Sequence, residues 1–217
     1  MIVDLITAQN MHAKQDLLRE MFRQRHRVFV ERLGWDVPSI NGEEERDEFD
    51  RPDTAYLVVS EPSGRVIGSW RLLSTEQPYM ASTVFRHLFD GAEPPRAPDI
   101  WEISRFVVEP SGQGTTRAGI DHATGFLFAA LFECAFTYGV RELVTVEDIA
   151  VARLAKKVLE TKPLWHGPVC ALGNTRAIVA RYPVNGQIVQ TLRDKFVTRL
   201  PIVQQFALWQ PPLAEAA

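Results

Sequence analysis

The sequence predicts one α/β domain built on a mixed central sheet with helices on both faces. Three observations predict it. In the first half, apolar runs of strand length follow one another across short turns, which is how antiparallel hairpins read. In the second half, strand-like runs alternate with helical ones, which implies crossover connections. No Pro/Gly/Ser-rich linker interrupts the 217 residues, so a single domain spans residues 1–217.

Residues 11–33 read as an amphipathic helix, with Leu18, Phe22, Phe29 and Leu33 on one stripe and Gly34 as its stop. Arg25 lies on the same stripe, where it must reach solvent or meet an acid inside. Residues 35–53 are polar, acidic and loop-like. "TAYLVVS" (54–60) and "RVIGSWRLL" (65–73) read as strands joined through the turn "EPSG". "STVFRHLF" (82–89) reads as a short helix, "GAEPPRAPD" (91–99) as a loop and "IWEISRFVVE" (100–109) as a strand. The apolar stretch 119–138 predicts a buried helix on the sheet, 141–147 a central strand and 149–160 a helix ending in Arg153, Lys156 and Lys157. Two further strands and a short helix follow to about 208, with 209–217 as an irregular tail.

Composition narrows the function. The chain is 46% hydrophobic and 24% charged, with a net charge of −3, ordinary for a soluble protein and unfavourable for nucleic acid. No apolar run reaches the roughly 20 residues that span a bilayer, and the start "MIVDLITAQN" lacks the basic region of a signal peptide. Cys134 and Cys170 lie far apart without metal-ligand spacing, so reduced thiols and a cytoplasmic location are expected. The five histidines show no ligand spacing either, and no metal is expected. A phosphate loop, a dinucleotide fingerprint, a zincin motif and a nucleophile elbow are all absent from the sequence.

Charge is unevenly spread: residues 150–217 carry +6 and the remainder −9. The acidity concentrates at 36–53, where eight carboxylates face only Arg46 and Arg51. Such a half attracts a cationic small molecule and the basic half an anionic carrier, or both are merely solvated faces. Ionic residues also stand inside apolar segments: Arg25 in the helix, Arg71 after "GSW", and Glu102 and Arg105 within "WEISRF". Three apart on a regular strand, Glu102 and Arg105 would face opposite ways, and a bulge would bring them to one cleft. With Asp47 and Asp50 they make three carboxylates and three guanidiniums, which must pair if buried. That group reads equally as an active site and as a clamp holding helix and loop to the sheet.

In order and spacing, "RHRVFVERLGWDV" (25–37), "DEFD" (47–50), "WRLL" (70–73), "VFRHLF" (84–89) and "WEISRF" (101–106) resemble the acyl-homoserine-lactone synthases. The family's Arg-x-x-x-Phe, Trp, paired Asp, Gly-x-x-Arg, Phe and Glu-x-x-Arg positions fall on Arg25, Phe29, Trp35, Asp47, Asp50, Arg71, Phe85, Glu102 and Arg105. The resemblance implies an N-acetyltransferase-like fold. It also implies an acyltransferase that makes a quorum-sensing signal from S-adenosylmethionine and an acyl thioester, with no cofactor and no membrane partner. A monomer is consistent with it. Residues 1–110 would then hold S-adenosylmethionine and the chemistry, and 111–208 the acyl donor. Glu102 would accept the amine proton, helped by Arg105, Arg71, Asp47 and Asp50. Arg25, Phe29, Trp35 and Phe85 would bind S-adenosylmethionine, although core packing explains Phe85 as well.

For the acyl tail, Phe126, Leu127 and Leu131 are the expected floor, and Thr145, Val146 and Glu147 the wall. Glu147 stands near where many members with 3-oxo substrates have threonine, which speaks against that preference. Arg153, Lys156 and Lys157 would dock an acyl carrier protein or the phosphates of acyl-CoA, and "LPIVQQ" (200–205) resembles members that take acyl-CoA. Two other readings compete. An acetyl-CoA-dependent N-acetyltransferase would need a glycine where Thr116 stands in "SGQGTTRAG" (111–119), and a non-catalytic acyl-ligand sensor would have no use for the polar cluster.

Overall fold

The computed structural model describes residues 1–109, 114–116 and 119–197; the segments 111–113 and 200–205 discussed above, and the tail 209–217, lie outside them. The elements run in chain order as follows. Ile2–Ile6 (β1) leads into a short 3₁₀ turn at Met11–Lys14, the helix Gln15–His26 (α1) and π-helical turns at Arg27–Arg32. A two-residue hairpin, Ser39–Ile40 (β2) and Glu44–Glu45 (β3), precedes the strands Ala55–Ser60 (β4), Val66–Ser74 (β5) and Ile100–Val108 (β6). Then come His122–Thr137 (α2), Glu142–Asp148 (β7), Ile149–Leu159 (α3), Trp165–His166 (β8), Cys170–Leu172 (β9), Thr175–Pro183 (β10) and Gly186–Phe196 (α4).

The main sheet has the order β1-β4-β5-β6-β7-β10-β8, with β9 also on β10, and only β6–β7 is parallel. Helices cover both faces as predicted. Side-chain oxygens of Asp121, Asp148 and Asn185 cap the first turns of α2, α3 and α4. One core gathers Leu57, Trp70, Trp101, Ile103, Phe128, Leu131 and Leu192 between the sheet and α2, α3 and α4. On the opposite face α1 packs Met21 and Phe22 against Tyr56 and Val58.

Three expectations change. The sequence reading placed no strand before residue 11, yet β1 pairs with β4 along its whole length. The strands after α3 are three rather than two, because β8 and β9 pair with successive parts of β10. The predicted first helix divides at His26, and its widened last turns rotate the stripe, so Leu33 ends 41% exposed while Phe29 stays buried.

Two local features shape the centre of the sheet. β6 is bulged: Ser69 pairs with Val107 but Arg71 with Ser104, so one extra residue is accommodated on β6, and Arg105 takes φ 53°. Gly68 lies beside it, where an added Cβ would come within 2.6 Å of the Val107 carbonyl oxygen and 3.0 Å of Leu127. The glycine three residues before Arg71 thus lets β5, β6 and α2 meet closely. β6 and β7 then pair only from Ile100↔Glu142 to Glu102↔Val144, although both strands run on. Beyond Glu102 they part.

Candidate active site

Where β6 and β7 part, a cavity of about 910 Å³ runs from one face of the sheet toward the other. Its first side is lined by Phe29, Trp35, Asp47, Met80, Phe85 and Arg105, its second by Trp70, Phe106, Phe128, Phe132, Leu159 and Tyr182, with Glu102 at the fork. The two sides follow from strand alternation. Trp70, Leu72, Trp101 and Ile103 belong to the core against α2, so Arg71 and Glu102 point the other way. Ser104, opposite Arg71, shares that face by the same alternation, and the bulge adds Arg105 to it. Of the two possibilities the sequence left open, a regular strand or a bulge, the bulge is present, and Glu102 and Arg105 share one cleft.

Six charges interlock beneath the cavity. Arg25, fully buried, gives Asp50 two hydrogen bonds of 2.8 Å and also bonds Glu45. Arg105 reaches Glu45 at 3.0 Å and Asp47 at 2.6 Å. Arg71 bonds Asp47, lies 3.4 Å from Asp50 and donates to Ser104 Oγ at 3.0 Å. Both Arg71 and Arg105 also approach the Met80 sulfur, at 3.6 and 3.5 Å. Tyr56 donates to Asp50 at 2.9 Å. Burial alone would raise the Asp50 carboxyl, but Arg25, with help from Arg71 and the Asp47 N–H, holds it well below the usual carboxylate range.

The carboxylates of this lattice are Glu45, Asp47 and Asp50; Glu45 replaces the Glu102 of the expected set. Glu45 went unnoticed inside the acidic run, although its spacing of two from Asp47 puts both on one side of an extended chain. Arg25, expected to touch S-adenosylmethionine, does not line the cavity, and neither do Arg71 or Asp50. They hold the others in place. Asp47, Arg105, Phe29, Trp35 and Phe85 do line it. Phe29 and Trp35 stack, with ring centroids 5.0 Å apart and planes 4° from parallel.

Glu102 stands apart from the lattice. Its two oxygens accept the backbone N–H groups of Met80 (3.1 Å) and Ala81 (2.7 Å), in a turn the sequence did not flag. Burial is the strongest influence and pushes its carboxyl up to about 7, against the lowering effects of Arg71, the two N–H groups and Arg105. A carboxyl poised there exchanges a proton near neutral pH.

The apolar side corrects one expectation. Thr145 and Glu147 line it, and Val146 lines the cavity from the opposite face, packed with Phe85 and Met80, but Phe126, Leu127 and Leu131 do not line it; α2 turns Phe128 and Phe132 to the cavity instead. Leu127 packs at Gly68 and Leu131 is fully buried in the core. The cause is that α2 is apolar on nearly every side, so periodicity could not phase it. Phe128 meets both Trp70 and Phe106 edge-on, and those two rings stack 4.4 Å apart. On α3, Arg153, Lys156 and Lys157 are exposed, and Arg153 borders an open hollow with Arg176 at the start of the helix. Among the described residues no cluster of His, Cys, Asp or Glu is placed to hold a metal, and no helix is long and apolar enough to cross a membrane.

Comparison with known proteins gives the family. A family model described as autoinducer synthase matches residues 8–192. The chain is 39% identical over 158 residues to an acyl-homoserine-lactone synthase of Ralstonia solanacearum, covering 72% of this chain and 76% of that protein. It is 32% identical over 182 residues to one of Aeromonas salmonicida, with 83% and 87% covered. A solved CoA-dependent acyl-homoserine-lactone synthase, bound to S-adenosylmethionine and isopentyl-CoA, superposes with a TM-score of 0.80 at 28% identity, covering 90% of this chain and 89% of that one. A protein of Lactobacillus plantarum described as an N-acetyltransferase shares the fold alone, with a TM-score of 0.53 at 14% identity over 85% of this chain and all of that one.

Proposed function

The chain belongs to the autoinducer synthase family and is an acyl-homoserine-lactone synthase, and from that premise we propose how its residues divide the work. The reaction joins an acyl group from a thioester to the α-amine of S-adenosylmethionine. The amine nitrogen bonds to the acyl carbon, the C–S bond breaks, and the thiol departs. The methionine carboxylate then attacks its own γ-carbon, closing the lactone and expelling 5′-methylthioadenosine.

S-adenosylmethionine lies on the polar side of the cavity, where Phe29, Trp35 and Phe85 offer aromatic faces to its sulfonium and adenine. Asp47 supplies negative charge there, and Arg105 meets the substrate carboxylate. The acyl chain occupies the side lined by Phe128, Phe132 and Thr145, and the thioester carbonyl comes to the gap between β6 and β7. Glu102 takes the amine proton, directly or through a water. Arg71 and Asp50 position Asp47, while Arg25 positions Glu45, so the lattice orders the side chains that meet substrate. No step needs an acyl-enzyme, a metal or another cofactor. The N-terminal half thus carries the S-adenosylmethionine site, and the C-terminal half most of the acyl site, with Trp70, Ile103 and Phe106 added from the first.

The donor, acyl-CoA or an acyl carrier protein, approaches along α3, where Arg153, Lys156 and Lys157 face its phosphates or its acidic surface. The enzyme acts as a monomer in this reading, and its substrates put it in the cytoplasm. The observation that carries this reading is Glu102 at the fork of the diverging strands, between an aromatic polar side and an apolar side. Mass spectrometry of extracts from a heterologous host, scanning for the homoserine-lactone fragment, tests it. Purified enzyme given S-adenosylmethionine and a panel of acyl-CoAs should release methylthioadenosine, and no release with any donor refutes it.

A further inference from the structure

Within the apolar side of the cavity, one polar pair needs an occupant. In the β7–β10 register Tyr182 stands opposite Leu143, Ala180 opposite Thr145 and Ile178 opposite Glu147. Tyr182, Ala180, Thr145 and Glu147 consequently share a face. The Tyr182 side chain extends past the Ala180–Thr145 pair, and its hydroxyl donates to Glu147 Oε1 at 2.6 Å. Both residues line the cavity, with Phe128, Phe132, Ala155 and Leu159 around it. Glu147 is only 6% exposed. Its other oxygen accepts no hydrogen bond and meets no cation among the described residues.

A carboxylate oxygen that faces an apolar cavity is costly to strip of water unless a donor reaches it. A plain hydrocarbon chain would displace water from that oxygen and return nothing. The Tyr182 proton is already committed to Glu147, so ionised Glu147 and the tyrosine oxygen both present acceptors. Burial pushes Glu147 up to about 7, against the lowering effect of the Tyr182 bond, so the acceptor form prevails above that pH. Against that ionised form a ketone offers only acceptors and fits poorly. An ammonium would have to shed its hydration among phenylalanines. A hydroxyl is neutral and can donate.

We propose that Glu147 and Tyr182 form a station for a hydroxyl group on the acyl chain, so that this enzyme prefers hydroxylated acyl thioesters over their plain counterparts. The proposal rests on the synthase reading of the cavity and adds the substrate class. Tyr182 fixes the carboxylate, and Glu147 receives the substrate's O–H.

The test uses the purified full-length enzyme with S-adenosylmethionine, following methylthioadenosine release from matched acyl-CoA pairs. One set is octanoyl-CoA with its C3-hydroxylated and terminally hydroxylated analogues. The other is phenylpropanoyl-CoA with its ring-hydroxylated analogue. The station predicts a kcat/KM at least about tenfold higher for the hydroxylated member of one pair, the usual worth of a hydrogen bond to a charged group. Glu147→Leu should reverse that preference and Tyr182→Phe should weaken it. Tyr182→Phe removes a single oxygen, so it keeps the test open if Glu147→Leu does not fold. Equal or lower kcat/KM for every hydroxylated donor would overturn the station and leave the synthase reading standing, because methylthioadenosine would still appear. A preference unchanged in both variants would overturn the assignment to these residues. No methylthioadenosine from any donor would remove both.

Discussion

Glu102 and Arg105, three residues apart on β6, project from the same face of the sheet because Arg105 sits at φ 53° in a bulge. That backbone conformation costs a side-chain-bearing residue about 1 kcal/mol or more, and glycine far less. Arg105→Gly should accordingly unfold at higher urea than Arg105→Ala, by about 1 kcal/mol. Glycine is the worse residue in an ordinary strand, so the opposite order would argue against the bulge.

Glu45 joins Arg25 to Arg105. Removing it as Glu45→Ala leaves two buried guanidiniums short of one partner each, although Asp50 and Asp47 remain. Urea denaturation should show a loss of about 3 kcal/mol, toward the lower end for a broken buried ion pair. A loss within about 0.5 kcal/mol, the range of an ordinary surface substitution, would mean the lattice is not closed in solution.

The raised carboxyl of Glu102 has a signed consequence for stability. Its folded value of about 7 lies above the ordinary 4.5, so between those values the native state holds more protons than the unfolded chain. Stability from this group is full below about pH 4.5 and is lost as pH rises through 7, a span worth about 3 kcal/mol. Glu102→Gln removes the titration. Its stability relative to the parent should therefore improve between pH 5 and pH 8, as read by urea unfolding at both. Parallel curves would contradict the shift. Asp50 acts in the opposite sense: its lowered carboxyl contributes stability that disappears as pH falls below the usual carboxylate range.

The acyl side offers a pair of contrasting variants. Phe132 lines the cavity, while Leu131 does not. Phe132→Ala should shift acyl-CoA preference toward longer or bulkier chains. Leu131→Ala should cost about 2–5 kcal/mol of stability, as buried leucines do, and leave the preference in place. The reverse pattern would restore Leu131 to the pocket.

Charge reversal at Lys156 and Lys157 tests the docking face. The double change to glutamate should raise KM for a carrier-protein donor, with an effect that shrinks as salt rises. A salt-insensitive change would mean that the donor docks elsewhere.

Much of this was legible in the sequence, for identifiable reasons. Strand and helix periods located β4 to β7, α2 and α3, and the charged residues in apolar runs announced a buried ionic group. The bulge was open in the sequence as the condition under which Glu102 and Arg105 could share one cleft. Glu45 was hidden because neighbouring acids in a solvated run look alike until one of them folds inward. α2 could not be phased because its apolar residues surround it, so Phe128 and Phe132 were passed over for their neighbours. The N–H groups of Met80 and Ala81 leave no trace in side-chain identity. The strand β1 does not stand out because it is five residues long and its apolar run is broken by Asp4, which pairs with Lys14.

Glu102, at the fork of β6 and β7, is proposed to receive the amine proton. The measurement that tests this role most directly is the pH dependence of kcat/KM for methylthioadenosine release by the parent enzyme and by Glu102→Gln. The parent should rise with a slope near one and level off above about pH 7. The variant should lose about 10²-fold or more at the plateau, while still unfolding cooperatively, and lack that rise. A variant as fast as the parent, or one with the same pH profile, would remove Glu102 from the chemistry.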